Sequence, residues 1–125
     1  MNLTRSRAYA LSVIALALAL HAYEQLVKSS TPSLGFFLWA MLPYGVCFVV
    51  LVRSRSGVPA ALGVSVALVL DLIAHYDVFV NPTGSTAALA LLVVPLWSAL
   101  LFAPVVMLIA WLAVRRRSQM RNGAA

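Results

Sequence analysis

Four apolar stretches, about residues 8–27, 34–52, 58–80 and 86–114, take up nearly the whole of this 125-residue chain, and its arginines stand only in the gaps between and beyond them. A helix that crosses a bilayer needs about 20 mostly apolar residues. Each stretch is near or above that length and none alternates strictly, so helices are expected rather than the strands of a barrel. Hydrophobic residues make up 63% of the chain and charged residues 10%, against about 45–50% and 25% in a soluble domain. A globule this small leaves too much of its surface in water to hide so much apolar side chain. Lipid is therefore the expected solvent, and within residues 1–125 no length remains for a separate soluble domain.

The links are short and turn-like. Ser29-Ser30-Thr31-Pro32-Ser33 ends on a candidate N-cap. Arg53-Ser54-Arg55-Ser56-Gly57 precedes Pro59, which falls in a first helical turn, where its missing N–H costs little. Asn81-Pro82-Thr83-Gly84-Ser85 has the composition of a turn followed by a cap. Links of this length join antiparallel neighbours. The expected fold is all-α: one integral membrane domain, an up-down bundle of four transmembrane helices, with 115–125 as a basic tail whose last residues, 118–125, are irregular.

Eight of the nine basic residues fall on one side of this arrangement: Arg5 and Arg7, Arg53 and Arg55, then Arg115, Arg116, Arg117 and Arg121. Lys28 alone lies opposite. Lys and Arg in short loops stay cytoplasmic, so both termini are expected inside. The net charge of +6 is thus a topology signal. Nucleic acid is not an expected partner, because the basic residues are split among three segments without interleaved aromatics. Arg115–Arg117 are placed to meet anionic lipid headgroups. Residues 1–22 imitate a secretory signal, but Leu20 stands where a cleavage site wants a small residue.

The fourth stretch is long, about 43 Å at 1.5 Å per residue, and contains Pro95 and Pro104. Each proline removes a helical hydrogen bond, so a tilted, kinked helix is expected, with these two as the candidate hinge. Pro43 interrupts the second stretch once. Trp97, deeper and beside Pro95, is expected to pack rather than to bind substrate, whereas the remaining aromatics mostly gather near helix ends as an interfacial belt. Cys47 is single, which excludes an internal disulfide or a CxxC pair.

The strongest constellation lies on the third stretch. Steps of four give Pro59, Gly63, Ala67, Asp71, His75 and Phe79 on one face. The first half of that row is small and admits a close neighbour; the second half is ionisable. Asp71 sits only about 3 Å past the middle of its helix, where a carboxylate costs on the order of 2.5–3.5 kcal/mol unless it meets a partner. The first stretch offers His21 and Glu24, three apart, with Gln25 beside them. The two helices run in the same direction, so His21, Glu24, Asp71 and His75 fall at similar depth. Four uses fit: a hydrogen-bonded lock on helix register, a proton-linked path, a zinc or iron site with His21 and His75 as candidate ligands, or a bis-histidine haem b. No cofactor is required by any motif. No Ser–His–Asp spacing, phosphate loop or lipidation motif occurs, so an enzyme is not expected.

The segment Val78-Phe79-Val80-Asn81-Pro82-Thr83-Gly84-Ser85-Thr86-Ala87-Ala88-Leu89, followed by Pro95-Leu96-Trp97, resembles a recurring segment of small bacterial four-helix integral membrane proteins. The resemblance implies a bacterial inner-membrane location and carries no activity, cofactor or site residue. Small multidrug transporters place a glutamate inside the first helix; here Glu24 lies near its outer end. Colicin-type immunity proteins are analogous in architecture alone. The leading expectation is a non-enzymatic accessory or interaction protein, immunity-type factors included, acting through helix contacts with another membrane protein or a second copy. The alternatives are a small oligomeric transporter or channel with Asp71 as proton-coupling group, and a metal- or haem-binding factor using His21 and His75.

Overall fold

A computed structural model of the chain describes residues 3–28, 33–54, 56–80 and 87–123. Among the described residues there is helix and no strand. Helix α1 is Leu3–Tyr23 and continues as a π turn, Glu24–Lys28. Helices α2 (Leu34–Ala40) and α3 (Leu42–Arg53) follow, then α4 (Val58–Phe79), α5 (Ala87–Trp97), a second π turn (Ser98–Phe102) and α6 (Ala103–Gly123). Three runs are long and apolar enough to cross a membrane: Thr4–Val27, Val58–Phe79 and Leu89–Met120. A fourth is added if α2 and α3 are taken as one bent span. The expected turn-and-cap at Asn81–Ser85 and most of the Ser29–Ser33 link lie outside the described residues.

Three local features differ from the sequence expectation, each for a physical reason. The stretch 34–52 is not one helix: α2 and α3 meet at Met41 with a 53° bend. Pro43, in the first turn of α3, has no N–H to offer the carbonyl of Trp39, so the helical ladder breaks there. The fourth stretch is one long helical run through both prolines, as expected, but its winding is not regular. Between them the chain widens into the π turn, where the Ala103 N–H reaches the Ser98 carbonyl, five residues back. The tail is helical to Gly123 rather than irregular from 118. Ser118-Gln119-Met120 holds no helix breaker, and arginines near a C-terminus suit the negative end of the helix dipole.

Helix α4 packs against α1, α3, α5 and α6. Arg7 meets Ser54 next to Gly57, Tyr9 meets Ser65, and His21 meets Asp71, so α1 and α4 run in the same direction. The half of the molecule near the arginines is tightly packed and apolar: Ala10, Val13, Cys47, Leu51, Ala60, Ala61, Val64, Ala103 and Met107 form one buried cluster. Small residues make it possible. A Cβ on Gly63 would come 2.8 Å from Met107 Cγ and 3.0 Å from Cys47 Sγ. At the arginine end itself, Arg7 Nη2 donates to the Ser54 carbonyl at 2.7 Å. A Cβ on Gly57 would lie 2.8 Å from the Arg7 backbone nitrogen. Large side chains such as Leu16, Leu72, Ile73, Leu100, Leu108 and Ile109 are exposed on the outside. Trp97 is 53% exposed, and the wider π turn that follows it carries Ser98 and Ala99 into the packed face.

Gly57→Ala forces a methyl group into the α1 backbone and should destabilise the protein by about 1–3 kcal/mol. Gly45→Ala, with nothing within 4 Å of its Cβ, should stabilise α3 by about 0.5–1 kcal/mol. Unfolding curves of the two variants in one detergent should shift in opposite directions; a shared direction would refute the packing described.

Candidate functional site

The other half of the molecule holds a partly open chamber of about 290 Å³. Its walls come from α1 and its π turn (His21, Glu24, Gln25), α2 (Ser33, Phe36, Ala40), α4 (Asp71, His75, Phe79) and α5 (Leu91, Pro95). Local sequence builds those walls. Ser33, in extended conformation, caps α2: its Oγ accepts the Phe36 N–H at 3.3 Å, while its own N–H donates to Gln25 Oε1 at 3.0 Å. Gln25 thereby ties the end of α1 to the start of α2. Trp39 Nε1 donates to the Leu92 carbonyl at 2.9 Å and joins α2 to α5.

The four ionisable residues singled out on the sequence meet on the floor of this chamber. His21 Nε2 lies 2.8 Å from Asp71 Oδ2, and His21 Nδ1 lies 3.4 Å from Glu24 Oε2. His75 Nε2 lies 2.8 Å from each Glu24 carboxylate oxygen. His75 Nδ1 lies 2.7 Å from the Asp71 main-chain carbonyl and 3.5 Å from its Oδ1. His21 and Asp71 are buried; Glu24 and His75 are partly buried. Asp77 is exposed, off this face.

One member escaped the sequence reading. Tyr44, buried in α3, donates its hydroxyl to Asp71 Oδ2 at 3.0 Å. It lies three residues after the Met41 bend, and the bend turns this part of α3 toward α4. The signal available in sequence was indirect: a phenol in an apolar helix needs a polar partner.

The chemistry of the cluster is set by its donors and acceptors. A main-chain carbonyl only accepts, so His75 Nδ1 carries a hydrogen and donates to it. Asp71 Oδ2 accepts from Tyr44 and from His21 Nε2–H. The second nitrogen of each imidazole, His21 Nδ1 and His75 Nε2, then faces Glu24. A haem b held between the two histidines does not fit this arrangement. The ring centroids are 5.6 Å apart, and both available nitrogens point to one carboxylate rather than to opposite faces of a porphyrin.

Of the other residues singled out, Pro95 lines the chamber. Pro104 borders an apolar groove between α3 and α6 that ends at Arg53 and Arg115. Arg115 lies over the Trp111 ring at 5.3 Å, and Arg116 and Arg117 are exposed. Cys47 is free and buried in the apolar half. No family model, curated protein or solved structure matches this chain.

Tyr44→Phe removes one donor and should cost about 0.6–2 kcal/mol, the usual scale of polar contacts between helices in lipid. Asp71→Leu leaves both His21 Nε2–H and the Tyr44 hydroxyl without an acceptor and should cost clearly more. Equal stability of the two variants in detergent unfolding would show that Asp71 does not organise the cluster.

Proposed function

We propose that this chain is a four-pass accessory protein of the bacterial inner membrane, without enzymatic activity, whose working part is a one-sided chamber that binds a small polar or charged solute from the outer face. In this reading the helices form an up-down bundle in which α2 and α3 together make the second crossing. Both termini and the 53–57 connection are cytoplasmic. Three features support membrane insertion: the length and apolarity of the helices, the belt of exposed large hydrophobic side chains, and arginines brought to one end. At that end Arg115–Arg117 meet anionic headgroups.

The observation that carries the binding role is where the polar network stops. Among the described residues it runs Glu24, His75, His21, Asp71, Tyr44 and goes no further. Toward the arginine end lie Ala67, Ala17, Val64, Val13 and Cys47, all buried. From Asp71 to Ala60 this apolar plug is about 16 Å deep at 1.5 Å per residue. A continuous channel or proton wire through Asp71 needs polar groups or water on both sides of that residue at once. A chamber sealed on one side suits capture and presentation instead. Pro95 and Pro104, flanking the π turn, are the proposed hinge by which the chamber wall adjusts.

Single cysteines placed in a Cys47→Ser background test this with a membrane-impermeant maleimide. Ser33→Cys and Phe36→Cys should label from the outer face, and Ser56→Cys only in inverted vesicles. In the wild-type chain, Cys47 should resist labelling from either side. Reversed labelling of Ser33→Cys and Ser56→Cys overturns the orientation, and ready labelling of Cys47 overturns the sealed chamber.

A further inference from the structure

The arrangement around Glu24 has a chemical imbalance. Asp71 engages one nitrogen of each histidine, through its carboxylate for His21 Nε2 and through its main-chain carbonyl for His75 Nδ1. In neutral imidazoles the remaining nitrogens, His21 Nδ1 and His75 Nε2, are then lone pairs. Both face the oxygens of Glu24, which are also acceptors. Three acceptors aimed at one another repel unless a positive charge sits among them. Among the described residues the chamber lining includes no lysine or arginine. Protons on the imidazoles or on Glu24 relieve this, and so does one cation in their place.

We propose that His21 Nδ1, His75 Nε2 and the Glu24 carboxylate are the ligands of a first-row divalent cation of the zinc(II) class, with Asp71 as the positioning residue for both imidazoles. This rests on the reading of the chamber as an outward-facing binding site.

Several independent features converge on it. Each of the three residues offers one ligand atom, and these atoms lie within 4.8 Å of one another. Ligands at about 2.0–2.2 Å around a tetrahedral zinc stand roughly 3.3 Å apart. The His75–Glu24 and His21–Glu24 separations of 2.8 and 3.4 Å already bracket that value, and side-chain rotation closes the remaining gap between the imidazoles. Metal-bound histidines characteristically donate their other N–H to a carboxylate or a main-chain carbonyl; Asp71 provides one of each. Charge also balances, because the two carboxylates Glu24 and Asp71, when ionised, match a dication with neutral histidines. Two imidazoles with one carboxylate suit zinc or iron(II), whereas calcium and magnesium take oxygen donors. Thiolate is absent from the set, since Cys47 lies in the apolar half. Three protein ligands leave a coordination position toward the chamber, so the bound ion can exchange or take a further ligand there.

Glu24 is also the first residue of a π turn. Such turns insert one extra residue into a helix and often stand at functional sites.

The test uses the full chain in detergent micelles, without a polyhistidine tag, and zinc(II) or cobalt(II) alone as probe. Calorimetry and elemental analysis should find one zinc per chain, not displaced by excess calcium or magnesium. Cobalt(II) should give the visible bands of a tetrahedral N/O site. Glu24→Gln, close to wild type in shape, should abolish those bands. Asp71→Asn should weaken zinc binding roughly 10–100-fold while the cobalt bands persist, an outcome that a purely structural role would not produce. A folded wild-type chain that takes up no zinc or cobalt overturns the proposal, as does zinc binding unaffected by Glu24→Gln. If Phe36→Cys still labels from the outer face in that case, the chamber reading stands and only the metal is lost; if it does not label, the chamber reading falls as well.

Discussion

A carboxylate buried among apolar helices must be met by donors, since alkyl side chains cannot solvate it. Asp71 is in that position, and the way it is met fixes how three helices face one another. His21 comes from α1 and Tyr44 from α3, and both reach the same oxygen, Oδ2. His75 reaches the main chain of Asp71 from one turn further along α4. Rotating α1 or α3 by one residue, about 100°, would remove a donor and leave the charge exposed to alkyl side chains. The polar cluster is therefore also a register device, whatever else it binds.

The two halves of the molecule are held by different physics. Near the arginines, association depends on small residues: alanines at 10, 60, 61 and 103, with Gly57 and Gly63, let backbones approach closely, and dispersion contacts do the rest. In the other half, side-chain hydrogen bonds span wider gaps and leave a chamber. The chamber sits where helices are joined by networks instead of by direct backbone contact.

Much of this was legible in the residues. The row Pro59, Gly63, Ala67, Asp71, His75 and Phe79 follows from a four-residue step, and the structure buries its first four members, partly buries the fifth and leaves the sixth exposed at the chamber rim. His21 and Glu24 lie at the depth of Asp71 because α1 and α4 run in the same direction. Tyr44 was not legible, because its direction depends on the bend at Met41, and Pro43 shows only that the ladder is interrupted, not which way the chain turns. The π turns were hidden for another reason. Helices that are apolar all round carry no polar stripe whose slip would reveal one extra residue, so 98–102 reads as ordinary helix.

Each π turn is an α-helical turn with a surplus residue. Loss of one residue from 98–102 would let this turn close to ordinary α winding. The surplus residue is taken up inside the widened turn, so α5 and α6 would keep nearly their present facing, with Pro95 in the chamber wall and Ala103 and Met107 in the core. A deletion within the regular winding of α5 would instead turn everything beyond it by about 100°, so the π turn marks where this span tolerates a change of length.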